Sequence, residues 1–371
     1  SGLHSVFAGS LWLGAIDNGG QLKVAAQTYR QTGNDFWPGP IDTVNVTTTD
    51  SVCAKYDRIW NVNRQMVEEF IQRYGDADYT IPKDILEWPG NGDISKGQPH
   101  FLAPFYDKNG DGIYSALAGD YPAYDFSGNQ NCQYNLLGDQ TLWWVFNDVG
   151  NVHSETGGVA MGIEIHAQAF AYRAGDEVND MTFYQYKAIN RSTFTLDSMY
   201  WGQWIDVDLG EYTDDYVACD VKRGLGYCYN GDTLDDLPAG YGLHPPAVGC
   251  DFLGGPLANP NDGVDNDRDS IIDEPGERVM MSTFLTYGGS GPTDNPIGAL
   301  HFYRYLKSVW GDGVPMTYGG YGYNWPPDTI CKFIYPRDSD PYGWGTGGIP
   351  MPPWSEESAG GVPSDRNFLI S

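Results

Sequence analysis

The sequence predicts a mainly-β protein: an antiparallel β-sandwich with long ordered loops rich in glycine, proline and aspartate, and about two short helices. Three observations lead there. Apolar residues recur mostly with period two; β-branched and aromatic side chains concentrate in the alternating stretches; and 48 glycines and 24 prolines crowd the intervals between them.

The elements follow in order. NRQMVEEFIQRYG, 63–75, reads as a helix, with Met66, Val67, Phe70 and Ile71 on one stripe and a stop at Gly75. TLWWVF (141–146) is a strand. VAMGIEIHAQAFAYR, 159–173, alternates, with Ile163, Ile165, Ala167 and Ala169 on one face and Glu164, His166 and Gln168 on the other. MTFYQYKAINR (181–191) and LDSMYWGQWID (196–206) continue the strand pattern. HFYRYLKSVWGDG, 301–313, is the second helix, through Phe302, Leu306, Val309 and Trp310 to Gly311. The stretches near 229–278 and 338–366 have almost no periodicity, and loops that long need something to tie them down. With no Ser/Gly linker, internal repeat or low-complexity tract, the reading is one mainly-β domain over 1–371 carrying two large loop insertions. Ser1 has the look of a mature or trimmed end, and Asn367, Phe368, Leu369, Ile370 and Ser371 stop in strand-like residues, as a piece of something longer would.

A chain of 371 residues that is 41% hydrophobic can bury a substantial core. Its net charge of −28, from 49 acids against 21 bases, repels phosphate backbones and anionic lipids. Nucleic acid is therefore not expected as a partner. Nor is membrane insertion, since no stretch approaches the ~20 apolar residues a spanning helix needs. Six cysteines (Cys53, Cys132, Cys219, Cys228, Cys250 and Cys331) form no C-x-x-C pair, leaving buried thiols or disulfides. CDVKRGLGYC, 219–228, is the local candidate, with Cys219 and Cys228 closing a hairpin.

Three acidic stretches suggest metal. In DNDRDSIIDEPGE, 265–277, six of thirteen residues are acids. Two carboxylates ~4 Å apart repel by about 4 kcal/mol at an effective dielectric of 20, so such crowding calls for a counter-charge. Asp265, Asp267, Asp269 and the carbonyl of Ile271 stand at spacing 1, 3, 5 and 7, and Glu274 or Glu277 closes the shell, as oxygen ligands wrap Ca²⁺. YDKNGDGIYSALAGDYP, 106–122, repeats the idea with Asp107, Asn109, Asp111, the carbonyl of Ile113 and Asp120, and has Gly112 for the sharp turn. Neither is an EF-hand, because Ala118 and Gly276 occupy position twelve, where a bidentate Glu belongs. WIDVDLGEYTDDYVACD, 204–220, offers Asp206 and Asp208, with Asp214, Asp215 and Asp220 across a turn.

No catalytic signature stands out: G-x-S-x-G, H-E-x-x-H, P-loop and dinucleotide fingerprints are all missing. His153 and Glu155 in NVHSETGG, with Glu164 and His166 in GIEIH, make the best two-plus-two metal constellation. Glu155, Glu164, Asp206 and Asp208 are the acids from which a glycosidase pair would be drawn. MTYGGYGYNWPPD, 316–328, presents Tyr318, Tyr321, Tyr323 and Trp325 as a platform for glycan or partner contact.

The sequence resembles a family of large secreted proteins of Bacteroidota exported by the type IX secretion system. The resemblance is carried by GSLWLGAIDNGGQLKVAAQTYRQTGNDFWPGPID (9–42), CAKYDRIWNVNR (53–64), PKDILEWPGNG (82–92), DGIYSALAGDYP (111–122), GDQTLWWVFNDVGNVHSETGG (138–158), GQWIDVDLGEYTDDYVACD (202–220), DGVDNDRDSIIDEPGE (262–277) and MTYGGYGY (316–323). It spans nearly the whole chain, and the family has no settled activity. Its members typically carry a signal peptide and a C-terminal sorting domain, which this sequence does not show. The resemblance implies an extracellular or cell-surface location, calcium in the acidic loops and cysteines in an oxidising compartment. It also draws attention to Asp-Ser/Thr-apolar triplets resembling that phylum's O-glycosylation signal, at Thr43, Ser51, Ser198, Thr233 and Thr329; a sixth, at Ser270, falls inside the 265–277 loop. The expectation is a non-catalytic, calcium-stabilised structural or adhesive protein that meets copies of itself or other cell-surface proteins. A carbohydrate-binding module or a glycan hydrolase is the alternative.

Overall fold

A computed structural model describes residues 3–29, 31–126 and 135–371. The architecture is mainly β, with antiparallel sheets and short helices. Where the sequence offers no linker and reads as one domain over 1–371, the chain divides into two compact units. Ser1–Asp35, His153–Val159 and Thr195–Ser371 form the first; Phe36–Val152 and Ala160–Phe194 form the second. Both are discontinuous, so no single stretch of linker composition marks the boundary.

The first unit is built on a five-stranded antiparallel sheet in the order Phe284–Leu285, Arg366–Ile370, Leu196–Val207, Ala8–Asp17 and Leu22–Ala26. A three-stranded antiparallel sheet, Asp215–Asp220, Leu225–Asn230 and Ala247–Asp251, shares its core. Both sheets contribute: Phe284, Phe368 and Trp204 from one meet Val217 and Cys228 from the other. Trp12 and Trp204 stack with ring centroids 6.3 Å apart, and each buried aromatic of this kind contributes roughly 1.5–3 kcal/mol. The helix expected at 301–313 runs instead over Gly298–Tyr305. Ser308 takes φ +55°, a left-handed conformation that ends any helical continuation. Leu306 and Trp310 are buried all the same, carried into the core by turns, and Trp310 Nε1 donates to the Gly322 carbonyl at 2.7 Å.

The second unit holds a sheet of Trp37–Pro38, Gln140–Asn147, Ile163–Ala171 and Phe183–Asn190, with Trp60–Asn63 also paired to Gln140–Asn147. The first expected helix is present as Arg64–Arg73. Asn63 caps it by accepting from the Met66 amide at 2.8 Å, and Val67 and Phe70 fill its buried face. Two further helices, Asp50–Tyr56 and Lys83–Leu86, escape the sequence reading because they are too short to show a repeating stripe. The polar side of Ile163–Ala171 is not exposed: Glu164, His166 and Gln168 are all buried.

The stretch near 229–278, expected as a loop insertion, contains the strand Ala247–Asp251 and the short pair Leu234–Asp235 and Gly242–Leu243, whose alternation is too brief to read from sequence. Its turns and those of 338–366 are tied down by buried acids that accept backbone amides. Within 229–278, Asp235 takes the Glu211 and Tyr241 amides at 2.9 and 2.6 Å. Within 338–366, Asp340 takes those of Trp344 and Gly345 at 2.7 and 3.0 Å, and Glu356 takes that of Val217 at 3.0 Å while pairing with Arg366.

Candidate metal centres

The 265–277 loop gathers its acids as the spacing predicts. Oxygens of Asp265, Asp267 and Asp269 lie within 4.8 Å of one another, and so do those of Asp267, Glu274 and Glu277. The turn forms because the acids accept amides of their own loop: Ser270 donates to Asp265 at 3.0 Å, Asp269 to Asp267 at 3.2 Å and Ile271 to Asp269 at 2.8 Å. Arg268, Ser270 and Asp273 adopt φ of +62°, +80° and +57°, conformations that non-glycine residues seldom take. Arg268 is the only base in the loop, and it turns away from the acids. Its guanidinium donates to the carbonyls of Val221 and Met281 and lies over the Phe333 ring, 5.3 Å from the centroid. The inner acids are left short of donors. Glu277 is 4% exposed, and Glu274 Oε2 and Glu277 Oε2 are buried oxygens with no hydrogen-bond partner among the described residues. Leaving a carboxylate oxygen buried and unserved is costly, so this donor set fits a hard cation.

The 106–122 loop has a different arrangement. Asp107 gives both oxygens to the Gly110 and Gly112 amides, at 2.7 and 2.6 Å, which hold its carboxyl below the usual range despite partial desolvation. Asp111 accepts from Ile113 and Asn109. Asp120 does not close a coordination shell. It is fully buried and braces the loop base, accepting the Lys108 and Ser115 amides at 2.9 and 2.8 Å. Among the described residues, no converging group of three acids includes Asp107, Asp111 or Asp120. Gly112 does occupy the sharp turn, at φ +77°.

The third stretch splits. Asp206 and Asp208 converge within 4.8 Å, but on Asp365, not on the acids across the turn. The register explains it: Asp206 pairs with Asn367 and Val207 with Arg366, so one step further sets Asp208 against Asp365. Burial pushes the Asp206 carboxyl up to about 6, helped by Asp365 and Asp208 and opposed by the Tyr29 hydroxyl, which donates to it at 2.6 Å. Asp215 is fully buried and accepts the Leu209 amide at 3.2 Å; burial, with the neighbouring charge of Asp214, pushes it up to about 7. Asp220 pairs with Arg223. Asp365 and Tyr29 are the functional candidates that sequence reading missed, because only strand pairing brings them to Asp206.

The remaining expectations sort by tertiary context. Cys219 and Cys228 are free thiols, not a disulfide. Cys219 faces Gly226 and Cys228 faces Val217, so the two sit diagonally across the hairpin. Such positions are roughly 7–8 Å apart, beyond bridging range. Cys53, Cys250 and Cys331 are free as well, and Cys132 lies outside the described residues. His153 and Glu155 belong to the first unit and Glu164 and His166 to the second. His153 bonds the Val24 carbonyl at 2.7 Å, and Glu155 takes the hydroxyls of Thr28 and Thr32. Burial would raise Glu164, but hydrogen bonds from His166 at 2.8 Å and Arg191 at 2.7 Å, with the Ile41 amide, hold it below its usual range.

Tyr318 is not part of a surface platform: it is buried against Trp354 at 4.7 Å and donates to the Pro352 carbonyl. Tyr323 is partly buried and donates to Asp312 at 2.8 Å. Tyr321 and Trp325 remain exposed, at 56% and 47%. Of the glycosylation candidates, Thr43, Ser51, Ser198 and Thr233 are exposed and Thr329 is partly buried. Among the described residues no helix is long and apolar enough to cross a membrane. Fold and sites together define a mainly-β protein with converging carboxylate clusters. No family model, curated protein or solved structure matches the chain.

Proposed function

We propose that this is a non-catalytic, calcium-stabilised structural or adhesive protein of the cell exterior, which meets copies of itself or other surface proteins. One observation carries the calcium reading: Asp265, Asp267 and Asp269 converge within 4.8 Å while the loop's only base, Arg268, is spent on main-chain carbonyls. Oxygen donors at this spacing suit Ca²⁺ rather than a softer metal. The surface location, with secretion by the type IX route, rests on the family resemblance, as do glycans on Thr43, Ser51, Ser198, Thr233 and Thr329. The −28 net charge adds support, since a cation-rich exterior screens it. Melting with Ca²⁺ and with chelator tests the reading: an ion held only by the folded state raises the melting temperature, and identical curves reject it. Sedimentation of the native protein with and without Ca²⁺ tests the self-packing part, and a monomer under both conditions rejects that.

The exposed rings of Tyr321 and Trp325 favour a second reading, carbohydrate binding. Retardation on a polysaccharide gel that Trp325→Ala abolishes would support it.

A further inference from the structure

Asp267 belongs to both carboxylate triads of the 265–277 loop. We propose that this loop takes two Ca²⁺ ions bridged by Asp267: an outer ion on Asp265, Asp267 and Asp269, and an inner one on Asp267, Glu274 and Glu277. The inference rests on the calcium reading and adds a second, internal site to it.

Charge is the first argument. The five acids of the two triads carry five negative charges when ionised, and Arg268 neutralises none of them by contact. One divalent ion leaves three charges uncompensated and two leave one. The second argument is independent and concerns the inner triad alone. Glu277 is 4% exposed; its Oε1 accepts the Asn266 amide, while its Oε2 is buried with no donor among the described residues. Glu274 Oε2 is likewise buried and unserved. Solvent cannot reach these oxygens, and the outer triad does not contain them. A Ca²⁺ ion needs six to eight oxygens, more than the three carboxylates of each triad can give with Asp267 shared between the two, so main-chain carbonyls such as that of Ile271 and water complete each shell. The inner ion then binds the 274–277 turn to the acids at 265–269, and the outer ion orders the exposed rim.

The test counts ions on the whole chain. After chelation and re-titration with Ca²⁺ alone, calorimetry and native mass spectrometry give the stoichiometry of wild type, Glu277→Gln, Glu274→Gln and Asp267→Ala, with circular dichroism verifying that each is folded. The expected result is one ion fewer in Glu277→Gln and two fewer in Asp267→Ala. Glu274→Gln, at a less buried position, repeats the single loss should Glu277→Gln not fold. If Glu277→Gln and Glu274→Gln keep the wild-type count while Asp267→Ala loses one ion, the inner site is overturned and the single-ion reading survives. A loss of only one in Asp267→Ala alongside a loss in Glu277→Gln overturns the bridge. Equal counts in all four proteins overturn calcium binding by this loop altogether.

Discussion

In the 106–122 loop Asp107 hands both oxygens to amides of its own turn, and Asp120 does the same for the loop base. In the 265–277 loop the outer acids also accept amides, yet Glu274 and Glu277 each keep a buried oxygen without a donor. The two stretches share oxygen-bearing side chains at every second residue, Asp107, Asn109 and Asp111 in one and Asp265, Asp267 and Asp269 in the other. What separates them is where the closing acid falls. Asp120 meets two main-chain N–H groups, so its charge is served by dipoles; Glu277 meets one, with other carboxylates for company. Oxygen-bearing side chains at every second residue therefore build a tight turn in either case, and what differs is how many N–H donors the closing acid meets.

The largest expected effect comes from calcium removal. With free ion at 100 times its dissociation constant, each bound ion contributes about 2.7 kcal/mol. Chelation should lower the melting temperature and speed hydrogen exchange across 265–277, leaving the amides of Gly110, Gly112 and Ser115 as protected as before. Equal loosening of both loops would erase the contrast. Next, Asp120→Ala strands two amides at a fully buried position, a cost of about 2–3 kcal/mol that should be the same with Ca²⁺ and with chelator. Asp267→Ala should behave in the opposite way, changing stability in chelator by less than about 0.5 kcal/mol while removing the calcium-dependent gain. A calcium-dependent Asp120→Ala effect in denaturant titrations would show that the first loop also holds an ion.

A pH effect concerns a buried acid that, among the described residues, has neither an ion pair nor a place in the converging groups. The folded state raises the Asp215 carboxyl to about 7, so it binds a proton there more tightly than the unfolded chain does. The stability this confers is complete below the unfolded value near 4 and is lost as pH rises to about 7. Melting in chelator should fall across that window, and Asp215→Asn should flatten the decline. Smallest of all, a reducing agent should leave the melting curve unchanged, because the thiols of Cys219 and Cys228 are free. A clear drop would mean that covalent bridges, not ions, hold the first unit's loops.

Much of the architecture was legible. The alternation in 141–146 and 181–191 becomes the strands Gln140–Asn147 and Phe183–Asn190, and the stripe in 63–75 becomes the helix Arg64–Arg73. The second helix was misplaced because apolar spacing alone cannot distinguish a helical stripe from turns that bury Leu306 and Trp310 separately. The polar alternation of Glu164, His166 and Gln168 does not tell a wet face from a buried one, because the partners that allow those groups to be buried, Arg191 and Gln185 among them, come from other segments. Tyr318 likewise gave no sign of burial, since Trp354 covers it from 36 positions further along the chain.

The sequence by itself determined the local chemistry: strands from period-two patterning, and a turn on which Asp265, Asp267 and Asp269 converge, because side chains two residues apart in a tight loop are brought together by the backbone alone. Tertiary structure alone decided everything set by register or by distant neighbours. Strand pairing placed Asp365 beside Asp206 and Asp208, and it held Cys219 and Cys228 one diagonal apart. Burial gave Asp120 its two amides and withheld a second donor from Glu277. The physical reason is the same throughout: spacing along the chain sets which groups can be near, but a buried charge is governed by the dipoles and charges that folding brings around it.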